Sequence, residues 1–341
     1  MYFFDSFFFE KLKEIIESIQ EGRVKKKELE LSRKKDTKFF SKRNWSRDKY
    51  LLLMMIPVVT FFIIFCYLPM TGLYMSFTQF KPGSGFTGIF KGKFVGLKWF
   101  KQFFQSPYAF RLIRNTFLLS FYSLIFGFPI PIIFAVCICQ IKNNKLQKTA
   151  QILTYLPYFI STVVVCGMIN NFLSPSSGIV NQMLMKFGFD QKNFMGLPEC
   201  FRAIYVISGS WQTFGFNSII FVASIMSIPQ ELYEAMDVDG AGKLRKTFSL
   251  ILPSIKPTII LLLIMSLGNL LNVGFEKVYL LYTPAVYETA DVIQTYVYRQ
   301  GIVNQNYAYA TAVGLFNSVV TFVIVFLSNR LSRKLTDTSV W

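Results

Sequence analysis

A dense cluster of small polar and charged residues separates two apolar stretches in the second half of the chain. It contains four carboxylates, Glu231, Glu234, Asp237 and Asp239. Four acids could form an acid–base site, but the surrounding sequence supplies no nucleophile and no metal ligand. The DVDG segment also fails as a calcium loop, because Phe248 holds the twelfth place, where such a loop needs a carboxylate. The cluster therefore offers no catalytic chemistry of its own.

Nucleotide and zinc chemistry are also unsupported. The GSGFTG segment at 83–88 fits G-x-G-x-x-G, but no βαβ context surrounds it. The sequence contains no P-loop, so we expect that this chain does not hydrolyse ATP. It has no histidine, and its five cysteines form no C-x-x-C pair, which argues against a zinc site. We predict no metal or cofactor bound by this chain and no enzymatic activity.

The composition indicates a membrane protein. Of 341 residues, 52% are hydrophobic and only 16% are charged, too few to cover the surface of a soluble domain of this length. A helix needs ~20 mainly apolar residues to span a bilayer. Six charge-free windows reach or approach that length: 51–80, 115–141, 149–185, 203–230, 257–275 and 300–329. The sequence predicts an all-α polytopic membrane protein with six transmembrane helices.

The net charge of +17 is concentrated beside the spans. Twelve Lys and Arg residues lie between Arg23 and Lys49, a pattern typical of a cytoplasmic segment attracted to anionic membrane lipids. We therefore expect no nucleic-acid partner and place both termini in the cytoplasm. One loop runs against the positive-inside rule, since residues 81–111 would lie outside with six basic residues and no acid.

Three regions are predicted along the chain. Residues 1–49 form a cytoplasmic extension, 50–335 a six-helix transmembrane domain, and 336–341 a cytoplasmic tail. Apolar residues of segment 1–20 recur on one helical stripe, which is compatible with an amphipathic helix on the membrane or on a partner. An unstructured tail is an equally good interpretation.

Within the polar cluster, the residue types predict a short helix and a sharp turn. Ser227, followed two residues later by proline, is a helix-start signal. Residues 230–238 suit a helix of about two turns, and Gly240 is suited to end it. Pro253 and Pro257 are predicted to mark the beginning of the next span. The chain would leave the membrane, form a surface helix and return.

This stretch resembles the EAA loop of permease subunits from ATP-binding-cassette importers, whose motif is E-A-A, three residues, Gly, nine residues and I-x-L-P. Glu234-Ala235-Met236, Gly240 and Leu250-Ile251-Leu252-Pro253 reproduce each spacing, with Met for the second Ala and Leu for Ile. The D-G-A core at 239–241 is typical of the sugar-uptake branch. Similarity extends over about residues 50–335, including FVGLKWF at 94–100 and RNTF at 114–117. Segments 171–181 and 267–299 are similar to the polysaccharide or complex-oligosaccharide permease subgroup.

The resemblance implies the type I importer permease fold and a bacterial cell-membrane location. It also implies a set of partners: a homologous second permease, two ATPase subunits that bind ATP and Mg, and a lipid-anchored extracytoplasmic solute-binding protein that delivers a glycan. The coupling loop would comprise residues 228–253. Its expected ATPase-coupling residues are Glu231, Glu234, Ala235, Asp239, Gly240, Ala241 and Pro253.

Polar residues within the apolar windows are candidates for a substrate path, since amides are costly in lipid and face another helix or a water-lined cavity. Sugars are held by aromatic faces and amides. The candidates are Trp211, Asn217, Asn269, Asn272 and Tyr298. For any single Asn, a hydrogen bond between helices is the simpler interpretation. The lysines of 81–111 would either dock an acidic binding protein, which we favour, or attract anionic glycans.

Two other classes of protein compete with this interpretation. An ATP-independent secondary transporter or channel would also carry polar groups in its spans, but such proteins lack the EAA loop. Their ionisable residues lie within the spans, whereas the six windows contain none. A membrane scaffold would leave the polar span residues unexplained.

Overall fold

The computed structural model describes residues 42–268, 270, 271 and 273–336, and the chain divides into two compact units, Met1–Met70 and Thr71–Trp341. In the first unit, α1 (Lys42–Phe61) continues through a π-helical turn, Phe62–Tyr67, into the short α2 (Leu68–Met70). The predictions made for residues 1–41, 337–341, Asn269 and Asn272 lie outside the described residues.

The second unit begins with the loop that carries the unexpected lysines, and this loop is structured. A 3₁₀ helix, Thr71–Phe77, leads into β1 (Thr78–Gln79), which pairs antiparallel with β2 (Lys93–Phe94) so that Thr78 lies opposite Phe94. Helix α3 (Gly88–Lys91) lies between the strands, and α4 (Lys98–Gln105) follows them. The indole of Trp99 donates a hydrogen bond to the Thr78 carbonyl oxygen at 2.9 Å and fastens α4 to the strands.

The rest of the unit is helical. Its first helices are α5 (Ala109–Gly127), α6 (Pro129–Cys139), α7 (Asn144–Tyr155), α8 (Thr162–Phe172), α9 (Ile179–Lys186) and α10 (Pro198–Met226). They are followed by α11 (Gln230–Val238), α12 (Lys243–Lys246), α13 (Leu252–Gly268), α14 (Phe275–Leu281), α15 (Tyr287–Ala290), α16 (Ile293–Tyr298) and α17 (Tyr307–Thr336). Further 3₁₀ turns occupy Leu156–Phe159, Phe194–Gly196 and Pro284–Val286, and π-helical turns occupy Thr247–Ile251 and Arg299–Val303.

The described helices provide four to six candidate membrane spans. Four stretches are long and apolar enough by themselves: Lys49–Phe77, Ala109–Cys139, Lys243–Gly268 and Tyr307–Arg330. Two bent pairs, Asn144–Phe159 with Thr162–Phe172 and Pro198–Met226 with Gln230–Val238, bring the number to six if each pair is one span. On that count the structure agrees with the six predicted helices.

The third predicted window is not a single helix. The chain bends by 97° between Asn144–Phe159 and Thr162–Phe172. Ser161 begins the new helix by accepting a hydrogen bond from the Val164 amide, and the Gln212 side chain binds the Ile160 carbonyl oxygen at 2.9 Å. These polar contacts satisfy backbone groups that a bend would otherwise leave unpaired in an apolar setting. The absence of charge therefore predicted the apolar segment correctly, but the prediction of one transmembrane helix there missed the bend.

The fifth span begins earlier than predicted. Helical structure runs from Lys243 to Gly268, so that Pro253 and Pro257 lie inside it and do not mark its beginning. A π-helical turn, Thr247–Ile251, precedes Pro253 and gives room for a ring that would clash with the preceding turn of a regular α-helix. The longer span also contains Lys256, which lies one residue before the predicted charge-free window 257–275.

Three apolar clusters hold the second unit together. One joins α6, α10 and α13 through Phe221, Ile251 and Ile255. A second joins α5, α8, α10 and the segment 273–292. A third joins α4, α5, α16 and α17 around Phe103 and Leu112. Because α10 takes part in two of these clusters, it is fixed on both sides, and it lines the cleft described below.

Candidate functional site

The predicted surface helix is present with the predicted bounds, Gln230–Val238, and lies at 72° to α10. Its beginning differs in one detail. Ser227 does not cap it, because the Ser227 hydroxyl donates to the Ser224 carbonyl oxygen at 2.8 Å. The Tyr233 side chain packs against the cluster formed by α6, α10 and α13. Helix α11 is therefore anchored to the bundle through one face.

The end of α11 is fixed by a Schellman motif. The Gly240 amide donates to the Asp237 carbonyl oxygen at 3.1 Å, and the Ala241 amide donates to that of Met236 at 2.9 Å. Gly240 has φ +68°, a conformation that side chains other than glycine adopt at a cost. Ala241 is buried directly after it. The turn predicted at Gly240 is confirmed, and its geometry requires the glycine.

The face of α11 opposite Tyr233 is exposed. Glu231, Glu234 and Ala235 lie three and four residues apart and share this face. Val238, at the end of the helix, is 88% exposed. Asp239 ends the helix and is exposed, and Pro253 is exposed on α13. A short, rigid helix that presents acids and apolar groups to its exterior has the features of a docking element.

One contact in this loop was not predicted. The Lys246 ammonium forms an ion pair with the Asp237 carboxylate, which links α11 to α12 across the glycine turn. A second contact, from the Gln140 amide to the Thr247 hydroxyl at 2.9 Å, joins the end of α6 to the beginning of the fifth span. These contacts depend on spatial neighbours nine and 107 residues apart, which the sequence pattern does not indicate.

A cleft of about 910 Å³ lies between α5, α6, α10, α13 and α14. Its polar lining consists of Ser120, Ser123, Thr162, Ser210, Gln212, Thr213, Asn217, Ser266, Glu276 and Lys277. Aromatic side chains also line it, among them Phe216, whose ring is stacked on Tyr158 with centroids 3.9 Å apart. Hydroxyls and amides beside aromatic faces are the groups expected of a path for sugars.

Only one of the predicted path residues that the structure describes reaches this cleft. Asn217 lines it, whereas Trp211 and Tyr298 do not. Trp211 is 43% exposed on α10 and lies two residues from both Gly209 and Thr213, which are on the lining face. Tyr298 packs against Phe275, with ring centroids 5.1 Å apart. The lining face of α10 follows a spacing of three to four residues, a signal that composition alone did not use.

The cleft contains a buried lysine that sequence reasoning missed. Lys277 is only 8% exposed. Its Nζ donates to the Tyr205 carbonyl oxygen at 3.2 Å and lies 5.1 Å from the centre of the Tyr205 ring. Helix α14 lies outside the candidate spans, and burial lowers the pKa of the Lys277 ammonium to about 8.

A second buried charge is fully paired. Asp291 is inaccessible to solvent and accepts from Arg299 at 2.7 Å and from the Thr295 hydroxyl at 2.9 Å, while Arg111 lies 3.5 Å away. The Asn115 amide donates to the Asp291 carbonyl oxygen at 3.1 Å. Thus the segments RNTF and 267–299, which resembled the same family separately, meet in space. This network is structural, because its charges and hydrogen bonds are directed at one another.

The candidate spans and the polar cleft between them together define an integral-membrane protein of the transporter class. Residues 108–337 match the family "Binding-protein-dependent transport system inner membrane component", and the chain belongs to this family. It is similar to Protein LplB of Bacillus subtilis (strain 168), with 38% identity over 84% of this chain and 90% of the relative. It is also similar to the polygalacturonan/rhamnogalacturonan transport system permease protein YteP of the same organism, with 37% identity over 86% and 91%.

Two solved structures of a bacterial ABC transporter extend the similarity. One is of a transporter involved in the import of the acidic polysaccharide alginate, with TM-score 0.79 and 46% identity over 86% of this chain and 98% of that one. The other contains a periplasmic protein bound to alginate pentasaccharide, with TM-score 0.81 and 45% identity over 87% and 99%. The predicted type I importer permease fold and the predicted family are confirmed, and the chain is a permease subunit of the inner membrane.

Proposed function

We propose that this chain is one of two permease subunits through which an ATP-driven importer moves oligosaccharides by alternating access. The observation that carries the proposal is α11: an exposed helix with the E-A-M…G…L-x-L-P spacing, anchored to the bundle through Tyr233 and ended by the Schellman turn. Tyr233, the Schellman turn and the Asp237–Lys246 pair make it a stiff connection between a bound partner and the fifth span.

In the proposed cycle, two partner ATPases bind ATP and Mg, and their closure moves α11 together with the α11 of the second permease. The fifth span follows because α12 and the π-helical turn continue directly into it. The cleft then opens outward, and hydrolysis reverses the motion. The nucleotide can drive this exchange only through unequal affinity for the two conformations. This chain supplies no catalytic group to hydrolysis.

We further propose that a lipid-anchored binding protein delivers the substrate and that both termini lie in the cytoplasm. The basic loop 81–111 supports this arrangement, because a folded surface with five exposed lysines and no acid suits an acidic partner. Glu231 and Glu234 would meet basic groups of the ATPase on the opposite side of the membrane.

The substrate class we propose is an acidic oligosaccharide. One relative, YteP, is the permease of a polygalacturonan/rhamnogalacturonan transport system. A similar solved transporter is involved in the import of the acidic polysaccharide alginate. Both resemble this chain over more than four fifths of its length. A neutral oligosaccharide is the alternative.

The test is purification of the tagged chain from its native membrane, identification of the co-purified proteins, and reconstitution in liposomes. Recovery of a second permease and an ATPase, with uptake that needs ATP and the binding protein, is the expected result. Uptake by the chain alone, without ATP, would instead establish the rival secondary transporter or channel, for which Lys256 inside the fifth span would be a candidate coupling group.

A further inference from the structure

Lys277 occupies a buried position, where a charged side chain loses hydration free energy. Its neighbours Val278 and Leu281 are almost completely buried, and its own side chain is 8% exposed. Among the described residues no carboxylate forms an ion pair with it. Glu276 lines the same cleft, but its side chain is exposed and makes no described contact with the ammonium. A methionine of similar length would fill the space without the cost of burying a charge.

Not all hydrogen-bond donors of the Lys277 ammonium have a described acceptor. An ammonium has three donors. The described partners are both parts of Tyr205, the carbonyl oxygen at 3.2 Å and the face of the ring. They hold the ammonium from the side of α10 and leave donor capacity unused. Since Lys277 lines the cleft, the unused capacity is directed at whatever occupies that space.

A second polar group in the cleft is also without a partner. Ser120 on α5 is 7% exposed, and its hydroxyl has no hydrogen-bond partner in the described part of the chain. Buried hydroxyls are normally paired. Ser120 lies on α5 and Lys277 on α14, and both line the same cleft of about 910 Å³. A positive donor with unused hydrogen-bonding capacity and a neutral donor without an acceptor point to an anionic, hydrogen-bonding ligand.

We propose that Lys277, with Ser120, forms a subsite in the cleft for the carboxylate of an acidic sugar residue, and that Lys277 sets the preference of the importer for acidic over neutral glycans. This proposal rests on the proposed import function. Tyr205 positions the ammonium, and the neighbouring Glu276 disfavours a second carboxylate on its own side of the cleft. The subsite is weak enough to release its ligand, because the ammonium retains the Tyr205 contacts after the carboxylate leaves.

The experiment uses the complete importer in proteoliposomes, with its ATPases and binding protein. The probes are oligogalacturonate and alginate oligosaccharides, each as the free acid and as the carboxyl methyl ester, and a neutral arabino-oligosaccharide. The variants are Lys277→Met, Lys277→Arg and Ser120→Ala. Lys148→Met is the matched control, since Lys148 is an exposed lysine of α7 that does not line the cleft. Co-purification of the other subunits checks assembly.

We expect Lys277→Met to lower uptake of the free acid by roughly 10–100-fold while uptake of the ester changes little, because one charge-assisted hydrogen bond is lost. Lys277→Arg keeps the preference for the acid, and Lys148→Met leaves it unchanged. Equal effects of Lys277→Met on acid and ester would overturn the subsite and leave the import function intact. If only the free acid is imported, a raised KM in Lys277→Met that Lys277→Arg restores supports the subsite, and equal defects in both variants overturn it.

The remaining outcomes separate the two proposals. Import of the neutral glycan alone would overturn the subsite and the acidic substrate class, while ATP-driven import stands. Absence of any ATP-dependent uptake by the assembled wild-type complex would overturn the proposed function and, with it, the subsite.

Discussion

The ammonium group of Lys246 lies against the carboxylate of Asp237, nine residues earlier in the chain, and bridges the turn between α11 and α12. Exposed ion pairs of this kind contribute about 0.2–1 kcal/mol. We expect Lys246→Asp to reduce ATP-dependent uptake roughly two- to five-fold, because a looser turn transmits less of the motion of α11. The exchange of both residues, Asp237→Lys with Lys246→Asp, should restore uptake. A double variant as impaired as the single one would show that the pair does not act as a link.

Gly240 should be irreplaceable in a way that its neighbour Gly242 is not. A side chain at φ +68° costs about 1–2 kcal/mol, which changes a two-state population by about 5–30-fold. Gly240→Ala should therefore weaken substrate-stimulated ATPase activity, whereas Gly242→Ala, at φ −70° with open space around its Cβ position, should have no effect. ATPase assays on the reconstituted complex check both variants, and equal activities would contradict the role of the turn in the stiff connection between α11 and the fifth span.

The exposed acid of α11 should be required for binding the ATPase. Glu234→Arg places a positive charge where we propose that basic groups of the partner dock, so we expect loss of the ATPase from the purified complex and loss of uptake, with membrane insertion intact. Glu199→Arg, in the first turn of α10 at the other end of that helix, is the matched control and should retain the ATPase. Normal ATPase recovery with Glu234→Arg would remove Glu234 from the docking surface.

Gly215 is a packing requirement of the bundle. A Cβ atom built on it would lie 2.1 Å from the Thr154 carbonyl oxygen, so Gly215→Ala must push α7 away from α10. Overpacking of this kind costs about 1–3 kcal/mol. We expect a lower melting temperature of the detergent-solubilised complex. Gly167→Ala in α8 has open space around it and should melt at or above the wild-type temperature, since alanine favours a helix.

The preference for acidic glycans should depend on pH. Burial lowers the pKa of Lys277 to about 8, so the ammonium is charged at pH 7 and loses its proton as the pH rises through about 8. The groups that face it are Tyr205 on α10, Cys166 on α8 and the adjacent Glu276. The uronate carboxylates stay ionised over this range. The ratio of acid to ester uptake should therefore fall between pH 7 and 9 in the wild type.

Lys277→Arg provides the control for this pH dependence, because a guanidinium stays protonated throughout the range. Its ratio of acid to ester uptake should remain constant where that of the wild type falls. A parallel decline in both proteins would assign the pH effect to another subunit or to the binding protein.

The coupling loop could be predicted from sequence because its determinants are local. The helix 230–238 and the turn at Gly240 depend on neighbours within a few residues, and both are present as expected. The substrate path could not be predicted in the same way. Membership of the cleft depends on which face of α10 meets α5 and α14, so Trp211 was selected by residue type and lies on the wrong face. Lys277 was overlooked because its burial arises entirely from tertiary packing.

The breaks in the spans have a similar explanation. A charge-free window shows only that a segment can lie in lipid. The bend after Phe159 depends on capping by Ser161, and the early start of the fifth span depends on the π-helical turn before Pro253. These features are local in structure, but an apolar window does not distinguish a straight helix from a bent one.

The hydrogen bond from Asn115 to the Asp291 carbonyl oxygen joins residues 176 positions apart in the chain. At a synthesis rate of about 5–20 residues per second, about 10–35 s pass between the addition of Asn115 and that of Asp291. A similar time passes before Thr116 can accept its hydrogen bond from the Ile293 amide. The second span must therefore enter the membrane before its buried polar groups have partners, and the first four spans remain an unfinished intermediate until nearly the whole chain has left the ribosome.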